Sequence, residues 1–164
     1  MDDVVDTGSN GHHFVKLNTG MDAITRPSLY GARHPIIVVP SVRILYRTTA
    51  ASILISSIQD EERRKIPFAE RPVQEYIVVG HCCETGDMLT QSLGGAFEKR
   101  TLHKAEIGDV VVIEGAGAYC SAMCTKNYNS FPELEELLLK SDGEFVVIRK
   151  RQTLEQMIQN EVTE

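Results

Sequence analysis

The chain has 164 residues, 42% hydrophobic and 24% charged, with a formal net charge of −6. That size and balance fit one ordinary globular domain with a single core. The acidic surplus gives no electrostatic reason to expect nucleic acid or anionic membrane as a partner, and no run reaches the ~18 apolar residues of a membrane helix. The opening stretch MDDVVDTGSNGHH lacks the basic and apolar regions of a secretory signal. A cytoplasmic protein is the expectation, or an organellar one if a targeting segment precedes an N-terminal domain that this sequence lacks.

In chain order, short β-branched runs alternate with glycine and proline. HFVKL (His13 to Leu17), PIIVV (Pro35 to Val39), EYIVVG (Glu75 to Gly80), DVVVIE (Asp109 to Glu114) and EFVVIRK (Glu144 to Lys150) read as strands, and AFEKRTL (Ala96 to Leu102) as a weaker one. FPELEELLL (Phe131 to Leu139) predicts a helix, with a proline near its start and acidic residues early. TLEQMIQNE (Thr153 to Glu161) predicts another, opened by a Thr-x-x-Gln capping box. The expected fold is mainly β, a mixed sheet curling toward a barrel or sandwich, with one or two short helices. Ser41 to about Ala69 departs from its surroundings, an apolar run ending in a dense charge cluster, and carries no function in this reading.

Three clusters concentrate chemistry. In Asn18 to Ile36, Arg26 and Tyr30 lie four apart, so a helical turn projects both from one face. An arginine fork with a phenol suits a carboxylate or phosphate, although such pairs also serve as ordinary surface residues. The second cluster, GHCCETGD (Gly80 to Asp87), follows a strand, where site residues often collect. A thiol beside a carboxylate pairs a proton donor with an acceptor for an ammonium group; a glycine-rich turn around a buried thiol is the plain alternative. The third, Gly115 to Pro132, opens with the nearly side-chain-free Gly-Ala-Gly-Ala and then Tyr119, a flat wall that something large could approach, with a tightly packed strand pair as the plain alternative. Of the four cysteines, the vicinal Cys82 and Cys83 are poor zinc donors and Cys120 with Cys124 makes half a site, so free thiols and no metal are expected.

Taken together, TGMDAITRPSLYGARHPI, VVGHCCETGD, IGDVVVIEGAGAYCSAMCTKNYNSFPE and IRKRQTLEQMIQNE resemble the C-terminal part of the diaminopimelate decarboxylases. These belong to the fold-type-III pyridoxal-phosphate decarboxylases, with the ornithine and arginine decarboxylases. Cys-Glu-Thr-Gly-Asp resembles the diaminopimelate branch, since ornithine decarboxylases have aspartate after the cysteine. The resemblance implies decarboxylation of meso-2,6-diaminopimelate to L-lysine and CO2, the last step of lysine biosynthesis, with pyridoxal 5'-phosphate as electron sink. It implies that Cys83 is the proton donor and reaches the partner subunit's active site across a homodimer interface. Glu84 would hold the distal ammonium, Arg26 and Tyr30 the distal carboxylate, and Tyr119 cofactor and substrate. Asp87 would shape the turn, Cys82 would be a packing thiol, and Asn127, Tyr128 and Asn129 scaffold.

The family's N-terminal (β/α)8 barrel takes about 250 residues and carries the lysine that holds the cofactor. No βαβ alternation appears here. Residues 1–164 are therefore expected to be a single C-terminal β-rich domain, with 41–69 as an extra segment, inactive without a barrel. Two alternatives remain: a non-catalytic module that pairs with full-length decarboxylase subunits, and a domain of an ornithine- or arginine-type enzyme.

Overall fold

The computed structural model describes residues 1–39 and 71–162. Most of its regular structure is strand. β1 (Asp3–Asp6), β2 (His13–Lys16), α1 (Arg26–Tyr30), β3 (Ile36–Val39), β4 (Val73–Val79), β5 (Arg100–His103), β6 (Val110–Ile113), β7 (Glu136–Leu139), β8 (Phe145–Arg149) and α2 (Leu154–Met157) follow in order. One sheet runs β1-β2-β4-β5, and β3-β6 and β7-β8 form two-stranded sheets. β2 pairs parallel with β4, and the other pairs are antiparallel. The mainly β expectation with two short helices holds, and the described sheets remain open rather than closing into a barrel. The extra segment 41–69 lies outside the described residues. No described helix is long and apolar enough to cross a membrane.

β4 is the axis. It has a partner on each edge, and Tyr76, Ile77 and Val78 are buried in succession, so this strand is covered on both faces. Val15, Leu17, Ile24, Val38, Tyr76, Val78, Leu89, Leu102, Ala105 and Cys120 make one core. The Tyr76 hydroxyl accepts the Ala105 N–H at 3.1 Å, so this buried phenol is not left unpaired.

One sequence expectation fails. Phe131 to Leu139 is not a helix. Glu136–Leu139 is strand β7, paired with β8 through a tight connection in which Gly143 takes φ 86° and the Lys140 N–H reaches the Glu144 carbonyl at 2.8 Å. Asp142-Gly143 between two apolar runs is a hairpin signal. Sheet pairing outweighed the helix propensity of the Glu-Leu-Leu-Leu run, because propensity yields to tertiary context. Upstream, Glu133 is tied to Gln152 by two bonds of 3.0 Å: its N–H donates to Gln152 Oε1, and its carbonyl accepts the Gln152 N–H. Of the helix expected over Thr153 to Glu161, only Leu154–Met157 is helical, and its capping box is complete. β1 went unread in the sequence, although a glycine-rich turn separates it from β2.

Candidate active site

Gly80 to Asp87 is a loop closed on itself at the end of β4. The Gly80 N–H donates to the Asp87 carbonyl at 2.9 Å, and Val79 bridges Met88 just below. Inside, the Glu84 N–H reaches the Cys82 carbonyl at 2.8 Å and the Asp87 N–H the Glu84 carbonyl at 3.1 Å. Asp87 is folded back and buried. Its Oδ2 accepts the Cys82 N–H and its Oδ1 the Met21 N–H, both at 2.8 Å. A Cβ on Gly20 or Gly80 would stand 2.3 or 2.2 Å from Asp87 Oδ2, so the carboxylate occupies the room those glycines leave. The sequence reading gave Asp87 only a share in shaping the turn; in the structure it joins the first two clusters.

Burial separates the two vicinal thiols. Cys82 is buried, and desolvation, followed by the charges of Asp87 and Asp22, pushes its thiol up to about 12. Cys83 is exposed. Cys82 therefore packs, and Cys83 is the cysteine open to chemistry. Burial also raises the Asp87 carboxyl above its usual range, against the pull of its two backbone donors and the Cys82 thiol.

The third cluster closes over this loop. The Tyr128 hydroxyl donates to Glu84 Oε2 at 2.8 Å, and Asn129 Oδ1 accepts the Cys83 N–H at 2.8 Å. The Phe131 ring stacks on His81 with centroids 3.6 Å apart. The Gly86 N–H donates to Glu84 Oε1 at 3.0 Å. These donors, Gly86 first and then Tyr128, hold the exposed Glu84 carboxyl below its usual range, while Glu84 pushes the Tyr128 phenol up. Asp22, His81 and Cys82 place three donor atoms within 4.8 Å of one another. His81 Nε2 stands 3.1 Å from Asp22 Oδ1, which also takes the Gly20 N–H at 2.7 Å.

α1 carries Arg26, half-buried, and Tyr30, exposed, on one turn, as the spacing predicts. The Ser28 hydroxyl donates to the Gly86 carbonyl at 2.6 Å and pins the helix to the loop. Met21 ties all three clusters: its N–H goes to Asp87, and its carbonyl accepts the Thr125 N–H at 3.0 Å. Tyr119 stands apart. It is 68% exposed with φ 58°, and makes no hydrogen bond to Arg26, Tyr30, Cys83 or Glu84. Sequence reasoning missed the contacts of Tyr128 and Asn129; the asparagine-rich, helix-breaking string Asn-Tyr-Asn-Ser was the available signal.

Residues 2–117 match the family described as pyridoxal-dependent decarboxylase, C-terminal sheet domain. The chain belongs to that family. As a decarboxylase sheet domain it is similar to the diaminopimelate decarboxylase of Buchnera aphidicola subsp. Baizongia pistaciae, 32% identical over 154 residues, 94% of this chain and 31% of that protein. A crystal structure of a diaminopimelate decarboxylase superposes with TM-score 0.76 at 33% identity, covering 98% of this chain and 32% of that one. The Helicobacter pylori diaminopimelate decarboxylase complexed with L-lysine gives TM-score 0.64 at 30% identity, covering 96% and 30%. The decarboxylase domain thus spans about a third of the length of these relatives.

The family implies pyridoxal phosphate. Nothing lies within 4 Å of a Cβ built on Gly117, so the wall before Tyr119 is open at that point, and the phenol beside it is exposed. These residues fit one edge of a planar cofactor and no more.

Proposed function

We propose that this chain is the sheet domain of a diaminopimelate decarboxylase and completes an active site whose cofactor is held chiefly by a (β/α)8 barrel. The observation that carries this reading is the exposed pair Cys83–Glu84, a thiol beside a carboxylate held anionic by Gly86 and Tyr128. Pyridoxal phosphate supplies the electron sink for loss of CO2.

The chain's own residues bind the substrate's far end and move one proton. Glu84 accepts from the distal ammonium, and each of its oxygens still has a lone pair beyond the bond it already accepts. Arg26 and Tyr30, on a helix pinned to the same loop by Ser28, hold the distal carboxylate with a planar fork and a phenol. Cys83 Sγ holds the proton delivered to the carbon that loses CO2, so a C–C bond is replaced by C–H and water restores the thiol. Tyr119 contacts cofactor and substrate from the open wall. Cys83 and Glu84 act in the partner subunit's site across a homodimer interface, which fits their exposure on this chain. The relatives' names and the L-lysine in the Helicobacter pylori complex support meso-diaminopimelate as substrate.

The test joins this chain to the barrel of the Helicobacter pylori relative and measures CO2 release. Turnover of meso-diaminopimelate, with none of ornithine or arginine, is expected, because those substrates lack the distal carboxylate. Turnover of ornithine alone overturns the substrate assignment. Loss of turnover in Cys83→Ala, with the cofactor still bound, is expected of the proton donor.

A further inference from the structure

The turn 127–131 is unusual in its backbone and in what it touches. Asn127, Asn129 and Ser130 have φ of 57°, 50° and 62°, the left-handed region that residues with a Cβ seldom adopt. Such conformations persist where surrounding contacts enforce them, and they concentrate at functional sites. Enforcement is visible on one side of the turn. The Asn127 amide nitrogen donates to the Phe131 carbonyl at 3.1 Å and to Gln152 Oε1 at 2.5 Å, and Gln152 Oε1 also accepts the Glu133 N–H. The other side faces the loop after β4. Asn129 accepts the Cys83 N–H, Tyr128 donates to Glu84, and Phe131 stacks on His81.

We infer that Asn129 and Tyr128 are positioning residues: Asn129 sets the backbone from which the Cys83 thiol is aimed, and Tyr128 sets the Glu84 carboxylate. This deepens the function proposed above and rests on it. The division of labour follows from atom types. The Asn129 side chain is bonded to the Cys83 main chain, so its loss changes the direction of the thiol without changing the thiol itself. Tyr128 occupies a lone pair on Glu84 Oε2 and, with the Gly86 N–H on Oε1, fixes that carboxylate's rotation, leaving the remaining lone pairs for an ammonium group. A phenylalanine there would leave the ring and remove only the donor. Asparagine suits position 129 because it tolerates the left-handed backbone and carries an acceptor on a short side chain.

The test uses the holoenzyme in which this chain is joined to the barrel of the Helicobacter pylori relative, with three variants. Asn129→Gly keeps the left-handed backbone and removes the acceptor; Asn129→Asp keeps both. Tyr128→Phe removes the hydroxyl. The expected results are a fall in kcat of about tenfold for N129G with KM little changed, recovery in N129D, and a KM for meso-diaminopimelate raised about three- to tenfold in Y128F. Two readouts follow the bonds rather than the turnover. Hydrogen exchange of the Cys83 amide is expected to accelerate in N129G and not in N129D, and the Glu84 carboxyl to titrate higher in Y128F. Faster exchange in N129G with unchanged kcat overturns the positioning role while the proposed function stands. If Cys83→Ala itself leaves kcat unchanged, the proposed function fails instead, and this inference fails with it.

Discussion

The Asp87 carboxylate and the Cys82 amide face each other across the loop after β4, Oδ2 to N 2.8 Å, and the space they share is bounded by Gly20 and Gly80. A methyl group on Gly80 would stand 2.2 Å from that oxygen. Gly80→Ala is therefore expected to destabilise the domain by about 1–3 kcal/mol through overpacking. Asp87→Ala is expected to cost about 2–4 kcal/mol by leaving the Cys82 and Met21 N–H groups unpaired. The double variant should lose less than the two single losses added, because the clash disappears with the carboxylate. Urea unfolding of the three variants measures this. Strict additivity would mean that the glycine is there for some other reason.

Asp87 also gives stability a pH dependence of known sign. Burial raises its native carboxyl above the unfolded value. Between those two values the native state binds more protons than the unfolded one, so its contribution falls as pH rises through that window. Glu84 has the opposite sign: its carboxyl is lowered, so its contribution is present above the ordinary value and lost as pH falls through the native one. Unfolding curves of the parent and Asp87→Asn, taken upward from the ordinary aspartate value, should converge as the parent's Asp87 ionises.

Thiol modification should separate the cysteines. Cys83 is exposed, whereas Cys82 is buried with its thiol pushed up to about 12. Limited iodoacetamide at neutral pH is expected to label Cys83 first and to leave Cys82 untouched until the domain unfolds. Mass analysis of the peptide that holds both residues decides it, and early labelling of Cys82 would contradict the burial.

Arg71 secures the start of β4. It donates to the buried Asp109 at 2.5 Å, to the Lys104 carbonyl at 3.1 Å and to Glu106 at 3.3 Å. Arg71→Ala removes the cation that faces a buried carboxylate and is expected to cost about 2–4 kcal/mol in urea unfolding. Glu106→Ala, whose side chain is exposed, should change stability by no more than about 0.5 kcal/mol.

The strands around the core were legible because Phe-Val, Ile-Ile-Val-Val, Tyr-Ile-Val-Val and Val-Val-Val-Ile are β-branched runs bounded by turn residues. The second helix was legible because a capping box needs only four neighbouring residues. β7 was not. Glu-Leu-Leu-Leu has no period of its own, and only its pairing with β8 makes it extended. The site shows the same division. Arg26 and Tyr30 share a helical turn by spacing alone, and Cys83-Glu84 stands out by residue type.

The sequence by itself determined which elements form locally, the family, and which residue types are candidates for the chemistry, since periodicity, caps and motif strings act over a few neighbours. Only the tertiary structure decided that Asp87 is a buried junction and that Tyr128 and Asn129 reach the loop more than forty residues before them. Those outcomes depend on burial and on hydrogen bonds between distant segments. The motif string already singles out Cys83 from its neighbour, and the fold supplies the physical reason, because it buries Cys82 and leaves Cys83 exposed to water.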